Sequence, residues 1–257
     1  FEEEVMLSGF ANAPIKAEGT SVSFDNAQET FTARYTHETL ALAFAITEEA
    51  IEDNLYDRLA SRYTKALARS MANTKQVKAA NVLNNAFGTA NGGDGKALCA
   101  DDHPIVAGTD RNELSTAADL NETSLEQSLI DIAAMTDERG LKIAAQGVKM
   151  IVPSALQFTA ERLMKSSQRV GTADNDINAV VSKGMVPQGY VVNHYLTDTD
   201  AFFIKTDVPN GLKHFVRSPM KTAMEGDFTT GNVRYKARER YSFGFSDWRG
   251  IFGSPGA

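Results

Sequence analysis

The stretch from Thr47 to Phe87 contains no proline and no glycine, and it constrains the fold more than any other feature of the sequence. Thr47 is a suitable N-cap, and the acidic residues after it suit the positive end of a helix dipole. Apolar residues then recur on one helical face: Ile51, Leu55, Leu59, Tyr63, Leu67 and Met71. We predict one helix from Thr47 to about Phe87, ending before Gly88 and running for ~60 Å at ~1.5 Å per residue.

The residues before this helix have the alternation of β-strands. Phe31, Ala33 and Tyr35 alternate with polar residues, and a similar pattern continues from Leu40 to Ile46. Because residues 20–24 also alternate, we predict a long two-stranded ribbon over residues 20–46, and an extended arm over residues 1–15. Such a ribbon is only marginally stable alone, which indicates a subunit built for assembly.

The remainder of the chain mixes helices with short strands and lacks a βαβ rhythm, which predicts the α+β class. The glycine-rich segment 88–95 is expected to be a loop, and so is the polar segment 165–176. Helices are predicted over residues 120–139 and 153–165. Strands are predicted over residues 148–152, 190–193, 201–204 and 233–245.

Composition excludes several classes of protein. A formal net charge of −7 and a pI of about 5.2 disfavour a dedicated nucleic-acid binder. Cys99 is the only cysteine, so no disulfide forms within the chain, and we expect a small buried thiol. The run from Leu40 to Ile46 is the longest apolar one and is too short to span a bilayer. Because the chain begins at Phe1, we expect a further N-terminal segment in the gene product.

The common catalytic motifs are absent or incomplete. The sequence has no G-x-S-x-G elbow. Gly95-Lys96 does not end a P-loop, since Ala97 follows it. His37-Glu38 resembles the start of a zinc-protease motif but lacks the second histidine. We therefore predict a protein that is not an enzyme, with no cofactor and no metal ion.

The run Asp101-Asp102-His103-Pro104 is the strongest chemical candidate. Two carboxylates beside an imidazole are able to hold a metal ion or to perform acid–base chemistry. Alternatively, an aspartate caps backbone groups in a polar turn before the proline. None of the four histidines lies at ligand spacing from another, so we favour the turn.

A basic row forms the second candidate site. Four cationic side chains alternate along one predicted strand and would point to one face: Arg234, Lys236, Arg238 and Arg240. This face is either a contact with a neighbouring subunit or with DNA phosphates, or an ordinary solvated face. The acidic start of the long helix, with Glu48 and Glu49, is a candidate partner on the opposite side of such a contact.

The order of these elements resembles the Hong Kong 97-type capsid subunit of tailed bacteriophages. Residues 35–53, YTHETLALAFAITEEAIED, look like the second E-loop strand of that family running into its spine helix. GKALCADDHP (95–104), residues 140–156 and the closing GDFTTGNVRYKARERYSFGFSDWRGIFG (226–253) are similar to the branch related to the Mu-like major head protein. The resemblance covers nearly the whole chain.

The resemblance implies an organisation and a function. Residues 1–46 would form a partial N-terminal arm and the E-loop, and residues 47–120 the peripheral domain with the spine helix. Residues 121–219 would form the axial domain, and residues 220–257 the strands that return to the peripheral domain.

The implied function is a major capsid protein that self-assembles into pentamers and hexamers of an icosahedral head enclosing double-stranded DNA. Its implied partners are copies of itself, portal proteins, and scaffolding or decoration proteins, with no membrane involved. The protein would be assembled in the host cytoplasm and reside in the virion. Two alternatives stay open: an encapsulin-like nanocompartment shell that encloses protein cargo, and a metal-dependent enzyme using Asp101, Asp102 and His103.

Overall fold

The structure is a computed structural model that describes residues 1–53, 56–89, 92–169 and 176–257. Within these ranges the α-helices are α1 (Glu48–Glu52), α2 (Tyr56–Asn84), α3 (Glu122–Ala134), α4 (Gln157–Lys165) and α5 (Ala179–Ser182). The strands are β1 (Glu2–Leu7), β2 (Glu29–Tyr35), β3 (Glu38–Ile46), β4 (His103–Ile105), β5 (Gly108–Asp110), β6 (Gly147–Val152), β7 (Tyr190–Val192), β8 (Phe202–Thr206), β9 (Leu212–Gly226), β10 (Val233–Phe245) and β11 (Ile251–Ser254). The mixture of helices and sheets confirms the α+β class.

The strands form four sheets in the described part of the chain. Their orders are β1-β2, β3-β10-β9, β11-β8-β6-β7 and β4-β5. The pairing is antiparallel between β3 and β10, β11 and β8, β6 and β8, and β4 and β5, whereas β6 and β7 are parallel. Antiparallel pairing, much of it between strands far apart in sequence, therefore replaces the repeated βαβ units of an α/β fold.

The predicted ribbon over residues 20–46 is wrong in its pairing. β2 pairs with β1, and β3 pairs with β10, in a register that runs from Ile46 opposite Val233 to Glu38 opposite Tyr241. Residues 21–28 lie outside the strands. β1 was not predicted, because three consecutive glutamates at its start place charge on both faces and hide the alternation of a strand.

The predicted long helix appears as two helical stretches in the described residues. The Thr47 hydroxyl accepts a hydrogen bond from the Ala50 amide at 3.4 Å, which confirms the N-cap. α1 then ends at Glu52, and Asp53 adopts a turn conformation, whereas one uninterrupted helix was expected. Leu55 lies outside the described residues, as does the side chain of Leu59. α2 ends at Asn84, slightly before the predicted end.

The chain divides into two compact units, and the first comprises residues 1–2, 35–79 and 214–243. It contains the three-stranded sheet and most of α2. Its buried cluster consists of Leu67 and Met71 on α2 with Ala237 on β10, and Leu40, Phe44 and Tyr235 pack against them. Tyr63 was predicted on the same helical face but remains largely exposed. The core of this unit is therefore small.

The second unit comprises residues 3–34, 80–213 and 244–257. It contains the four-stranded sheet with α3, α4 and α5, and two hydrophobic clusters pack on that sheet. β6 contributes Met150 and Val152, which are completely buried, so the predicted strand is confirmed. Cys99 is buried in the smaller cluster, as predicted.

β9 is the longest element that the sequence analysis missed. It is fifteen residues long, most of its side chains are exposed, and it contains Pro219. A proline inside a strand argues against a central position, but β9 lies at the edge of its sheet, where the missing N–H is tolerated. No helix in the described ranges has the length and apolarity of a membrane span.

Candidate functional site

The Asp101-Asp102-His103 run leads into a completely buried histidine. His103 begins β4, and its ring stacks on Trp248 with the ring centroids 4.3 Å apart and the planes 4° from parallel. Its Nδ1 lies 2.6 Å from Oδ2 of Asp94, and its Nε2 lies 3.1 Å from Oδ1 of Asn112. The histidine thus joins the glycine-rich loop to the C-terminal segment within the second unit.

Asn112 determines which atoms donate in this network. Its Nδ2 lies within 2.7–2.9 Å of the carbonyl oxygens of Leu98, Trp248 and Ile251, so the amide nitrogen must face them. Its Oδ1 therefore accepts, both from the Ala100 amide at 3.0 Å and from His103. Nε2 of His103 must carry a proton.

Asp94 determines the state of the other ring nitrogen. Burial by itself raises the pKa of Asp94, but hydrogen bonds from His103 and from the Lys96 amide outweigh it and lower that pKa below its ordinary value. Asp94 is therefore a carboxylate, and Nδ1 of His103 donates to it. Both ring nitrogens of His103 thus face oxygen atoms of buried side chains, and the ring is held by the Asp94 carboxylate on one side and by Asn112 on the other.

Arg249 is a buried cation that lies against the same tryptophan. Its guanidinium lies 4.2 Å from the centre of the Trp248 ring, and its Nη1 lies 2.9 Å from Oε1 of Glu138. Its Nε donates to the Thr136 carbonyl at 2.7 Å, and Nη1 also lies 3.4 Å from Asp247. Burial raises the pKa of Glu138, and the charge of Arg249 offsets part of that rise.

These contacts contradict a metal or acid–base role for the acidic run. Both nitrogens of His103 are occupied by Asp94 and Asn112, so neither is available as a ligand. Asp101 and Asp102 are exposed, and Asp102 forms an ion pair with Lys96. In the ranges that the structure describes, no group of three or more histidine, cysteine or acidic residues is arranged to hold a metal ion.

Sequence reasoning missed most of this buried centre. Asp94, Asn112 and Arg249 belong to no motif, and they meet His103 or Trp248 only through folding. The one signal in the sequence was the glycine-rich loop that contains Asp94. The structure explains one of its glycines, because a Cβ at Gly93 would lie 2.9 Å from the backbone of Thr32. A side chain at that position would push the loop away from β2.

The basic row takes the strand position that was predicted for it. Arg234, Lys236 and Arg238 are exposed and Arg240 is partly buried, whereas the residues between them face α2 or the interior. On β3 the residues opposite the row are small: Ala45, Ala43, Ala41 and Thr39. The row is therefore an exposed basic face beside a flat surface.

Glu48 and Glu49 lie in the first turn of α1, where both are exposed. Glu48 lies against the turn before β10, because a Cβ at Gly231 would collide with its carboxylate. Arg234 forms its ion pair with Asp227. Among the ion pairs of the described residues, none joins Glu48 or Glu49 to the basic row.

Solved structures share this architecture. The chain aligns with the capsid of the cyanophage P-SCSP1u at a TM-score of 0.61 and 12% identity, covering 100% of this chain and 83% of that chain. The capsid of Myoviridae phage XM1 aligns at a TM-score of 0.58 and 10% identity, covering 100% of this chain and 85% of that chain. The mature capsid of bacteriophage PhiM1 aligns at a TM-score of 0.57 and 11% identity, covering 98% of this chain and 81% of that chain. The fold is therefore that of the Hong Kong 97-type capsid subunits.

A family model described as phage capsid protein matches residues 29–253. The chain belongs to this family of structural capsid proteins. A search of curated proteins found no significant match. The family favours the phage capsid over the nanocompartment shell, and the buried, fully paired His103 removes the argument for a metal-dependent enzyme.

Proposed function

We propose that copies of this chain assemble as pentamers and hexamers into an icosahedral phage head that encloses double-stranded DNA. The observation that carries this proposal is the match to the phage capsid family over residues 29–253. The role is structural and not catalytic. Portal proteins and scaffolding or decoration proteins are the expected partners, with assembly in the host cytoplasm.

The proposed organisation follows the resemblance seen in the sequence. Residues 1–46 act as the arm and E-loop and lie over a neighbouring subunit. Residues 47–120 form the peripheral domain, and residues 220–257 return to it. Residues 121–219 form the axial domain, which meets its copies around the pentamer and hexamer axes. The small core of the first unit supports a subunit that needs its neighbours.

The basic row is proposed as a contact between subunits. Arg234, Lys236, Arg238 and Arg240 would face Glu48 and Glu49 of a neighbouring copy. Exposure of three of these cations supports this assignment, as does the absence of a described ion pair for Lys236 and Arg238. An interface between charges of opposite sign gains mainly in specificity and rate of association, and it weakens as salt is added.

Electron microscopy of the purified protein tests the main proposal. We expect rings or closed shells, in which obligate interfaces of this kind commonly bury ~2,000 Å² or more. A monodisperse monomer under every condition of salt, pH and concentration would contradict assembly. Nuclease-protected DNA of genome length in particles from infected cells supports a phage head, whereas an enclosed enzyme supports a nanocompartment.

A further inference from the structure

The turn between β9 and β10 is closed by hydrogen bonds of its own and presents an exposed aromatic ring. Asp227 donates its amide to the Asn232 carbonyl at 2.8 Å, and the Gly231 amide donates to the Asp227 carbonyl at 2.8 Å. The Asp227 carboxylate also accepts from the amide and hydroxyl of Thr229, at 3.2 and 2.9 Å, and pairs with Arg234. The turn therefore holds one conformation without help from a partner.

Phe228 lies at the tip of this turn and is fully exposed. Met220 and Met224, further back along β9, are about half exposed, so Phe228 is the one apolar side chain at a tip whose other residues are polar or glycine. Burying a phenylalanine side chain stabilises a complex because it removes a large apolar surface from water. A fixed turn loses little conformational entropy on binding, which makes Phe228 a suitable anchor for an apolar hollow.

An apolar hollow of matching chemistry occurs in the segment between β1 and β2. Residues 10–16 and 20–25 enclose a shallow cavity of about 650 Å³, whose lining includes the exposed side chains of Phe10, Val22 and Phe24. Asp25 closes its edge by accepting from the Ala11 amide at 2.7 Å and pairing with Arg139 at 3.0 Å. The hollow is thus attached to the folded second unit.

Charge indicates that the two features belong to one interface. Residues 1–29 contain six acidic residues and one basic residue, whereas residues 212–240 contain seven basic and three acidic residues. Opposite net charges steer such surfaces together, and the apolar anchor then fixes their register. A second copy of this chain supplies both features, so no other partner is needed.

We propose that Phe228 of one copy inserts into the hollow formed by residues 10–25 of a neighbouring copy. This contact rests on the proposed function, because it requires copies to assemble. It adds to that function an aromatic anchor and its receptor, neither of which belongs to the basic row.

Crosslinking between chains that each carry one introduced cysteine tests the contact. The native Cys99 is buried, and burial raises the pKa of its thiol well above the ordinary value, so it competes little. Chains carrying Phe228→Cys are mixed with chains carrying Val22→Cys, assembled, and treated with a short bismaleimide. We expect a dimer band at least about tenfold stronger than for a control pair, because an interface raises the effective concentration of the thiols to the mM range.

The control pair combines Phe228→Cys with Val106→Cys, an exposed valine outside the hollow. If the mixed chains form shells but the Phe228–Val22 pair crosslinks no better than this control, the contact is wrong and the capsid function stands. If the unmodified chain forms no rings or shells, both proposals fail. As a second measurement, Phe228→Leu is expected to assemble and Phe228→Asp to lose shell yield at least about tenfold, since a buried unpaired charge is strongly unfavourable. Equal yields from these two variants would also overturn the contact.

Discussion

The buried centre around Trp248 and the sheet that carries the basic row differ in how their charged side chains are placed. In the centre, His103 and Arg249 are buried and each pairs with a buried carboxylate. In the sheet, three cations are exposed and the strands pack on a small cluster around Leu67 and Met71. Most buried polar groups are paired within the chain, whereas exposed ones remain available to a partner. The buried charges therefore stabilise the single subunit, whereas the exposed cations are available for contacts with neighbouring subunits.

Removal of Arg249 is expected to reduce the free energy of unfolding more than any other change proposed here. Arg249→Met leaves Glu138 buried without its cation, and breaking a buried ion pair costs about 3–5 kcal/mol. The free energy of unfolding in urea measures the loss. Arg238→Met, on the exposed row, serves as the matched control and should change that free energy by less than about 0.5 kcal/mol. Equal losses would mean that the centre is no more essential than the row.

A change at His103 tests whether its two hydrogen bonds matter beyond its ring. His103→Phe keeps a ring against Trp248, but it removes the His103 contact to Oδ2 of Asp94 and one of the two donors to Oδ1 of Asn112. An unsatisfied buried group costs about 1–3 kcal/mol, and the urea midpoint should fall accordingly. His194→Phe is the control, since His194 bonds only the exposed hydroxyl of Ser154. A midpoint equal to that of the native protein would mean that stacking alone holds this position.

Acid should weaken the centre through Asp94. The pKa of this carboxyl is lower in the folded chain than its ordinary value of 3.8, so its contribution is present above about pH 3.8 and disappears as the pH falls through the folded value. Unfolding followed between pH 5 and pH 2.5 measures the loss. Asp94→Asn should flatten that part of the profile. An unchanged slope in the variant would assign the acid sensitivity to other carboxylates.

Charge reversal in the basic row should have the smallest effect on the single chain and a visible effect on assembly. Arg234→Glu combined with Arg238→Glu should change the free energy of unfolding by under about 1 kcal/mol, because exposed charges contribute little. Shell yield by light scattering should fall, and the size of this effect should depend on salt. Normal assembly at every salt concentration would leave the row as a solvated face. Restored assembly with Glu48→Lys and Glu49→Lys would support their pairing across the interface.

The accuracy of the sequence predictions followed the local periodicity. β6, α4 and the row on β10 were predicted at nearly their observed bounds, because burial on one face imposes an alternating or helical pattern. β9 escaped detection because most of its side chains are exposed on both faces and Pro219 interrupts it. The partner of β2 was also wrong, since a strand pattern shows which residues face inward but not which strand lies beside them.

By itself, the sequence determined the α+β class, the capped start of the long helical region, the alternating basic row and the resemblance to a capsid subunit. These features depend on residues that are close together in sequence, because the spacing of apolar and polar residues follows the period of a helix or a strand. Only the tertiary structure decided that His103 is buried and held by Asp94 and Asn112 against Trp248. Those residues lie up to about 150 positions apart in sequence. In the sequence His103 looks like part of a reactive cluster, but in the fold it is buried away from water and forms a structural pair with Asp94.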